Sequence, residues 1–99
     1  MNITRVATES ESTLYLEGRL DQDSAPMLEN AVRAAAEENE KIILNCRGLS
    51  GVSASGLRML AIVQIFMRDH GGSLAICSCI PTVLNFFKNT GFHHVLTIR

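Results

Sequence analysis

Two hydroxyls carry the clearest chemical signal in this chain. Ser53-Ala54-Ser55-Gly56 sets Ser53 and Ser55 at the start of a helical pattern, where unpaired backbone N–H groups and the positive end of the helix dipole favour an anion. A phosphate ester on either serine would be stabilised there. The other reading is a plain helix cap, in which a serine oxygen accepts a bond from a first-turn N–H at a gain of about 1 kcal/mol. Both readings are open for both residues.

The remaining chemistry-bearing residues point to no reactive centre. His70, His93, His94 and the Cys77-Ser78-Cys79 segment include metal-ligating types, but their spacing matches no zinc pattern. On a strand, Cys-x-Cys is expected to turn both thiols to one face as small packed hydrophobes. Gly48, Gly51 and Gly56 satisfy neither phosphate-loop pattern. Asn45 and Cys46 stand where a phosphorelay receiver would carry an aspartate. The expectation is a protein that is not an enzyme and needs neither metal nor cofactor.

Composition narrows the setting of these residues. Ninety-nine residues suit one domain spanning 1–99. A hydrophobic share of 46% against 19% charged is globular rather than disordered. Nine Lys and Arg against ten Asp and Glu, a formal charge of −1, argue against a basic nucleic-acid surface. Three cysteines, an odd number, and the lack of a charged-then-apolar leader suggest reduced thiols and a cytoplasmic protein. The apolar stretch Met59 to Met67 is too short for the ~20 residues of a membrane span.

The elements that must position the serines follow from periodicity. Ile3 to Val6 and the alternating Thr13 to Glu17 predict an opening hairpin. Ser24-Ala25-Pro26 starts a helix whose Leu28, Ala31, Val32 and Ala35 form one face, ending near Asn39. The apolar run from Lys41 to Cys46 predicts a central strand covered on both faces. Leu49 to Gly56 reads as a turn, Leu57 to Asp69 as a helix stopped by Gly71-Gly72, and Ser73 to Cys77 as a strand. A third helix runs from Pro81 to Gly91, with Val83, Leu84, Phe87 and Phe86 as its inward candidates, and Val95 to Ile98 reads as a last strand. The order β-β-α-β-α-β-α-β implies an α/β fold, a mixed β-sheet with helices packed against it.

Successive residues on the second helix lie ~100° apart, so Met59, Leu60, Val63, Phe66 and Met67 share one broad face. Ile65 falls between Arg58 and Arg68 on the polar side, with Ile62 on its flank. An aliphatic spot among charges, continuous with the serine turn, is either a contact surface or a single exposed side chain of the kind any protein has.

The run Leu49-Ser50-Gly51-Val52-Ser53-Ala54-Ser55-Gly56-Leu57-Arg58-Met59-Leu60 resembles the signature turn and helix of the STAS domain family, bacterial anti-sigma factor antagonists in particular. Gly18-Arg19-Leu20-Asp21, with Ala25 and Leu28 after it, is similar to the family's entry to its first helix. Gly71-Gly72-x-Leu through Val83, Phe87 and Thr90-Gly91-Phe92 resembles the closing half, so the likeness covers nearly the whole chain.

The resemblance implies a switch without catalysis. The unmodified antagonist binds an anti-sigma factor that is also a serine kinase, phosphorylation in the turn breaks the complex, and a serine phosphatase restores it. Transcription is thereby regulated. The family commonly carries its modified serine two positions before the glycine, and here that position is Ala54. The resemblance therefore leaves Ser55, Ser53 or no residue as the acceptor, with a non-phosphorylated scaffold or ligand-sensing module as the alternative. It also implies a partner surface made of Asp21, Ser53, Ala54, Ser55, Gly56, Arg58, Ile62 and Ile65.

Overall fold

A computed structural model describes residues 1–99. Strands β1 (Asn2–Ala7) and β2 (Glu11–Leu20) form the expected antiparallel hairpin, in which Ile3 lies opposite Leu16. Helix α1 (Ala25–Ala36) then carries the chain across to β3 (Lys41–Val52), which pairs parallel with β2. Helix α2 (Ala54–Asp69) leads to β4 (Ser73–Cys77), parallel to β3, and α3 (Pro81–Thr90) follows. The sheet order is β1-β2-β3-β4, so neighbours in sequence are neighbours in space. This is the expected α/β class with a mixed sheet.

All three helices feed one core. Leu28, Val32 and Ala35 of α1, Leu57, Leu60, Val63 and Met67 of α2, and Val83 and Phe87 of α3 meet Leu14, Leu16, Ile42, Leu44, Leu74 and Ile76 of the strands. Each buried aliphatic of this size contributes roughly 1.5–3 kcal/mol by leaving water. The predicted inward faces of α1 and α2 hold, with Met59 and Phe66 half-buried at the margin; on α3, Leu84 and Phe86 are half-buried beside the core pair Val83 and Phe87.

Three local expectations change. The central strand β3 is covered on one face only: Ile42, Leu44 and Cys46 are fully buried beneath the helices, while Ile43 and Asn45 are half-buried on the open side. The unbroken apolar run had suggested two covered faces. Leu49 to Val52, read as turn from its glycines and serine, continues β3 beside Gly18 to Leu20, through two register shifts. Gly48 is needed there because a Cβ would lie 2.9 Å from both the Glu17 side chain and the Leu16 carbonyl.

The last strand expected over Val95 to Ile98 shrinks to a single parallel bridge, Ile76 with Ile98, after a short 3₁₀ turn over Phe92–His94. A side chain replaces part of the ladder. Gln64 donates from Nε2 to the Leu74 carbonyl at 2.9 Å and accepts at Oε1 from the Thr97 N–H at 3.0 Å. No helix is long and apolar enough to cross a membrane.

Candidate functional site

The site forms where three segments converge on one backbone carbonyl. Leu20 closes β2, and its carbonyl accepts from the Ser53 N–H at 2.9 Å, joining the end of β2 to the start of α2. Gly56, in the first turn of α2, is buried against that same residue. A Cβ on it would fall 2.4 Å from the Leu20 carbonyl oxygen and 2.8 Å from its Cγ. Such separations are well inside van der Waals contact, so only glycine lets α2 seat on β2 here.

Ser53 is the N-cap of α2 in extended backbone, and its Oγ accepts from the Gly56 N–H at 3.2 Å. The capping reading is therefore fulfilled for Ser53. Ser55 lies in the first turn, its Oγ accepting from Arg58 Nη2 at 3.4 Å. Both serines are half-buried, and neither is sealed from solvent. Ala54, between them, is exposed.

Asp21 follows directly on Leu20, which sets its loop beside the serine turn as expected. Its Oδ1 accepts from the Asp23 N–H at 3.0 Å, the Ser24 N–H at 3.1 Å and the Ser24 hydroxyl at 3.3 Å. The Ser24 backbone bond is the strongest influence holding the carboxyl below its ordinary range; desolvation, next in size, opposes it, and Asp23, the Ser24 hydroxyl and the nearby Arg19 charge add to the lowering. Asp21 thus organises the entry to α1. Ser24, expected as an N-cap, makes no side-chain cap; its hydroxyl donates to the Arg19 carbonyl and accepts from the Asp21 N–H instead.

On α2, Ser55, Arg58, Ile62 and Ile65 recur at three- and four-residue spacing and share one stripe. Arg58 is exposed, and Ile62 and Ile65 are 46% and 40% exposed. Of the eight residues expected to form the contact surface, Gly56 is buried and acts as a spacer, Asp21, Ser53 and Ser55 are half-buried, and Ala54, Arg58, Ile62 and Ile65 are exposed. Sequence reasoning missed Arg19, whose guanidinium lies over Gly51 and whose charge reaches Asp21. Its signal was the lack of any side chain at position 51. It also missed the Asp21–Ser24 turn, legible in hindsight as an aspartate two and three residues ahead of the N–H groups it binds.

The other residues that could bear chemistry do not gather at this site. His93 and His94 stack on each other, ring centroids 3.9 Å apart, in the exposed 3₁₀ turn. No three His, Cys, Asp or Glu side chains converge in a way that could hold a metal ion. The site presents two hydroxyls at the head of α2 and no serine oxygen bonded to a histidine or carboxylate.

Comparison with known proteins agrees with the fold. The family model described as STAS domain matches residues 2–99. A Bordetella bronchiseptica protein named anti-sigma factor antagonist BtrV is 27% identical over 99 residues, covering 99% of this chain and 85% of that one. Among solved structures, the anti-sigma factor antagonist SpoIIAA in its unphosphorylated form superposes with a TM-score of 0.79 at 19% identity, covering 99% of this chain and 88% of that one. The Bacillus SpoIIAA phosphorylated form gives 0.73 at 18%, covering 99% and 91%. The murine anion transporter Slc26a9 shares the fold over 88% of this chain but 15% of its own, at 16% identity and a TM-score of 0.77.

Proposed function

This chain belongs to the STAS domain family, and from that premise we propose that it is an anti-sigma factor antagonist, a regulatory binding protein that performs no catalysis. Unmodified, it holds a serine-kinase-type anti-sigma factor against the Asp21 loop, the Ser53-to-Gly56 turn and the stripe of Arg58, Ile62 and Ile65. The sigma factor is thereby freed and transcription adjusted. Phosphorylation of Ser55 by the kinase ends the complex, and a serine phosphatase resets it.

The observation that carries this reading is the continuous stripe from Ser55 through Arg58 to the two exposed isoleucines. Apolar side chains flanked by a charge give a patch that a partner can desolvate. A phosphate on Ser55 would add roughly −1.5 to −2 charges, stabilised by the α2 N-terminus. Arg58 already reaches the Ser55 oxygen at 3.4 Å, so it would turn from a partner-facing cation into the counter-ion of the phosphate. Like-charge repulsion and desolvation of the new anion then oppose docking. Ser55 is preferred to Ser53 because the Ser53 oxygen already serves the Gly56 N–H.

Two observations favour a second reading. The family's usual acceptor position is Ala54, the exposed residue of the turn, and the fold also occurs within an anion transporter. A non-phosphorylated scaffold or ligand-sensing module would need no serine chemistry. Pull-down with the anti-sigma kinase, followed by mass spectrometry after ATP, separates the two. The antagonist reading expects a complex with unmodified protein and a phosphate mapped to Ser55. A complex that persists unmodified after ATP supports the scaffold, and no complex removes the antagonist reading.

A further inference from the structure

The cysteines, expected to pack as inert hydrophobes, hold an arrangement that the binding function does not use. Cys46 lies on the helix-facing side of β3, fully buried, its thiol directed to the Leu44 carbonyl at 3.9 Å. β4 runs parallel beside it with Cys77 in register with Asn45, which puts Cys77 on the open face of the sheet. Were β4 to continue, Cys79 would share that face.

It does not, because Ser78 adopts φ 61°, the sole non-glycine residue of the chain in the left-handed region. Such a conformation is unfavourable for a residue with a Cβ and persists only where the surroundings enforce it. Here it reverses the alternation between Cys77 and Cys79. Cys79 turns inward and packs against the core that contains Cys46, two residues beyond Cys77, which lies across the ladder from Asn45, the neighbour of Cys46. The neighbouring Cys79 and burial push the Cys46 thiol up, whereas the neighbouring Cys46 holds the Cys79 thiol below its ordinary range. Cys79 is only half-buried, so a small solute reaches it; Cys46 is shielded.

We propose that Cys79 is a site of oxidation by hydroperoxides and that Cys46 resolves it, giving an intramolecular Cys46–Cys79 disulfide. The Cys79 thiolate attacks one peroxide oxygen, the O–O bond breaks, and the departing hydroxide or alkoxide takes a proton from solvent to leave as water or alcohol, which makes Cys79 a sulfenic acid. The Cys46 sulfur then attacks the Cys79 sulfur; the S–S bond forms, the S–O bond breaks, and the hydroxyl leaves as water with the Cys46 proton. Two thiols are oxidised and one hydroperoxide is reduced. The bond ties the segment ahead of α3 to β3, the strand whose far end delivers Ser53.

The test treats the reduced chain with hydrogen peroxide and follows intact mass and a non-reducing peptide map. The expected result is a monomer lighter by two hydrogens, a Cys46–Cys79 linked peptide, and full reversal by dithiothreitol. Cys77→Ser should behave as wild type, Cys79→Ser should lose the linkage, and Cys46→Ser should accumulate a sulfenic acid on Cys79 that dimedone traps. Should Cys46→Ser fail to fold, the wild-type map and Cys79→Ser decide alone. A Cys77–Cys79 link, an intermolecular dimer as the main product, or a linkage retained in Cys79→Ser would overturn the proposal.

Discussion

Replacing Gly56 with alanine puts one methyl group into the joint between β2 and α2. The new carbon would sit 2.4 Å from the Leu20 oxygen and 2.9 Å from its carbonyl carbon, both backbone atoms that no rotamer change can move. Overpacking of this kind costs about 1–3 kcal/mol. The gain of alanine over glycine within a helix, about 1 kcal/mol at most, offsets part of it. If α2 backs away from β2 to make room, the Ser53 N–H to Leu20 bond at 2.9 Å lengthens, at a further cost of about 1 kcal/mol. The net expectation is a loss of roughly 1–3 kcal/mol, and each kcal/mol lowers Tm by about 4–8 °C in a domain of this size. Urea and thermal unfolding measure the loss. Titration with the anti-sigma factor should show weaker binding as well, because the serine turn moves relative to the Asp21 loop. A variant as stable as wild type, with unchanged binding, would refute the account of how the site is assembled.

Gln64→Leu should cost about 1–2 kcal/mol by deleting two hydrogen bonds and should speed hydrogen exchange at the Thr97 amide, which now bonds to Gln64 at 3.0 Å; unchanged exchange would show that the clamp is idle. Asp21 has its pKa held below 3.8 by the Ser24 and Asp23 N–H groups, so its contribution is present above that value and is lost as pH falls through the lower, folded-state value. Unfolding measured against pH should show a shallower acid loss in Asp21→Asn than in wild type, and identical slopes would contradict the assignment. Ile65→Lys, at an exposed position, should leave stability within about 0.5 kcal/mol yet weaken anti-sigma factor binding about tenfold, or about 1.4 kcal/mol. Calorimetric titration checks this, and unaltered affinity would place the interface elsewhere.

The fold was legible because its information is periodic and local. Leu28, Val32 and Ala35 mark the inner face of α1 by spacing alone, as Leu60, Val63 and Met67 do for α2. What escaped depends on partners distant in sequence. Ser50 and Gly51 read as turn residues, yet they extend a strand because Gly18 and Arg19 of β2 lie across them. Ile43 belongs to an apolar run but faces the open side, since all three helices pack on the other. Pattern could not foresee that Gln64 would take the Thr97 N–H and reduce the last strand to one bridge. At the site, Ser53 and Ser55 were identifiable by residue type and Asp21 through the family resemblance, and one carbonyl, that of Leu20, joins the Ser53 turn to the residue ahead of Asp21. The inward turn of Cys79 was hidden because Ser78 adopts a conformation its residue type disfavours.

The central claim is that the charge state at Ser55 governs the neighbouring contact stripe. Affinity for the kinase-type anti-sigma factor, measured on one protein preparation before and after quantitative phosphorylation of Ser55, tests it most directly. The account predicts that the phosphorylated form binds at least tenfold more weakly, about 1.4 kcal/mol or more, and that Ser55→Ala binds like the unmodified protein. Equal affinities for the two forms would contradict it.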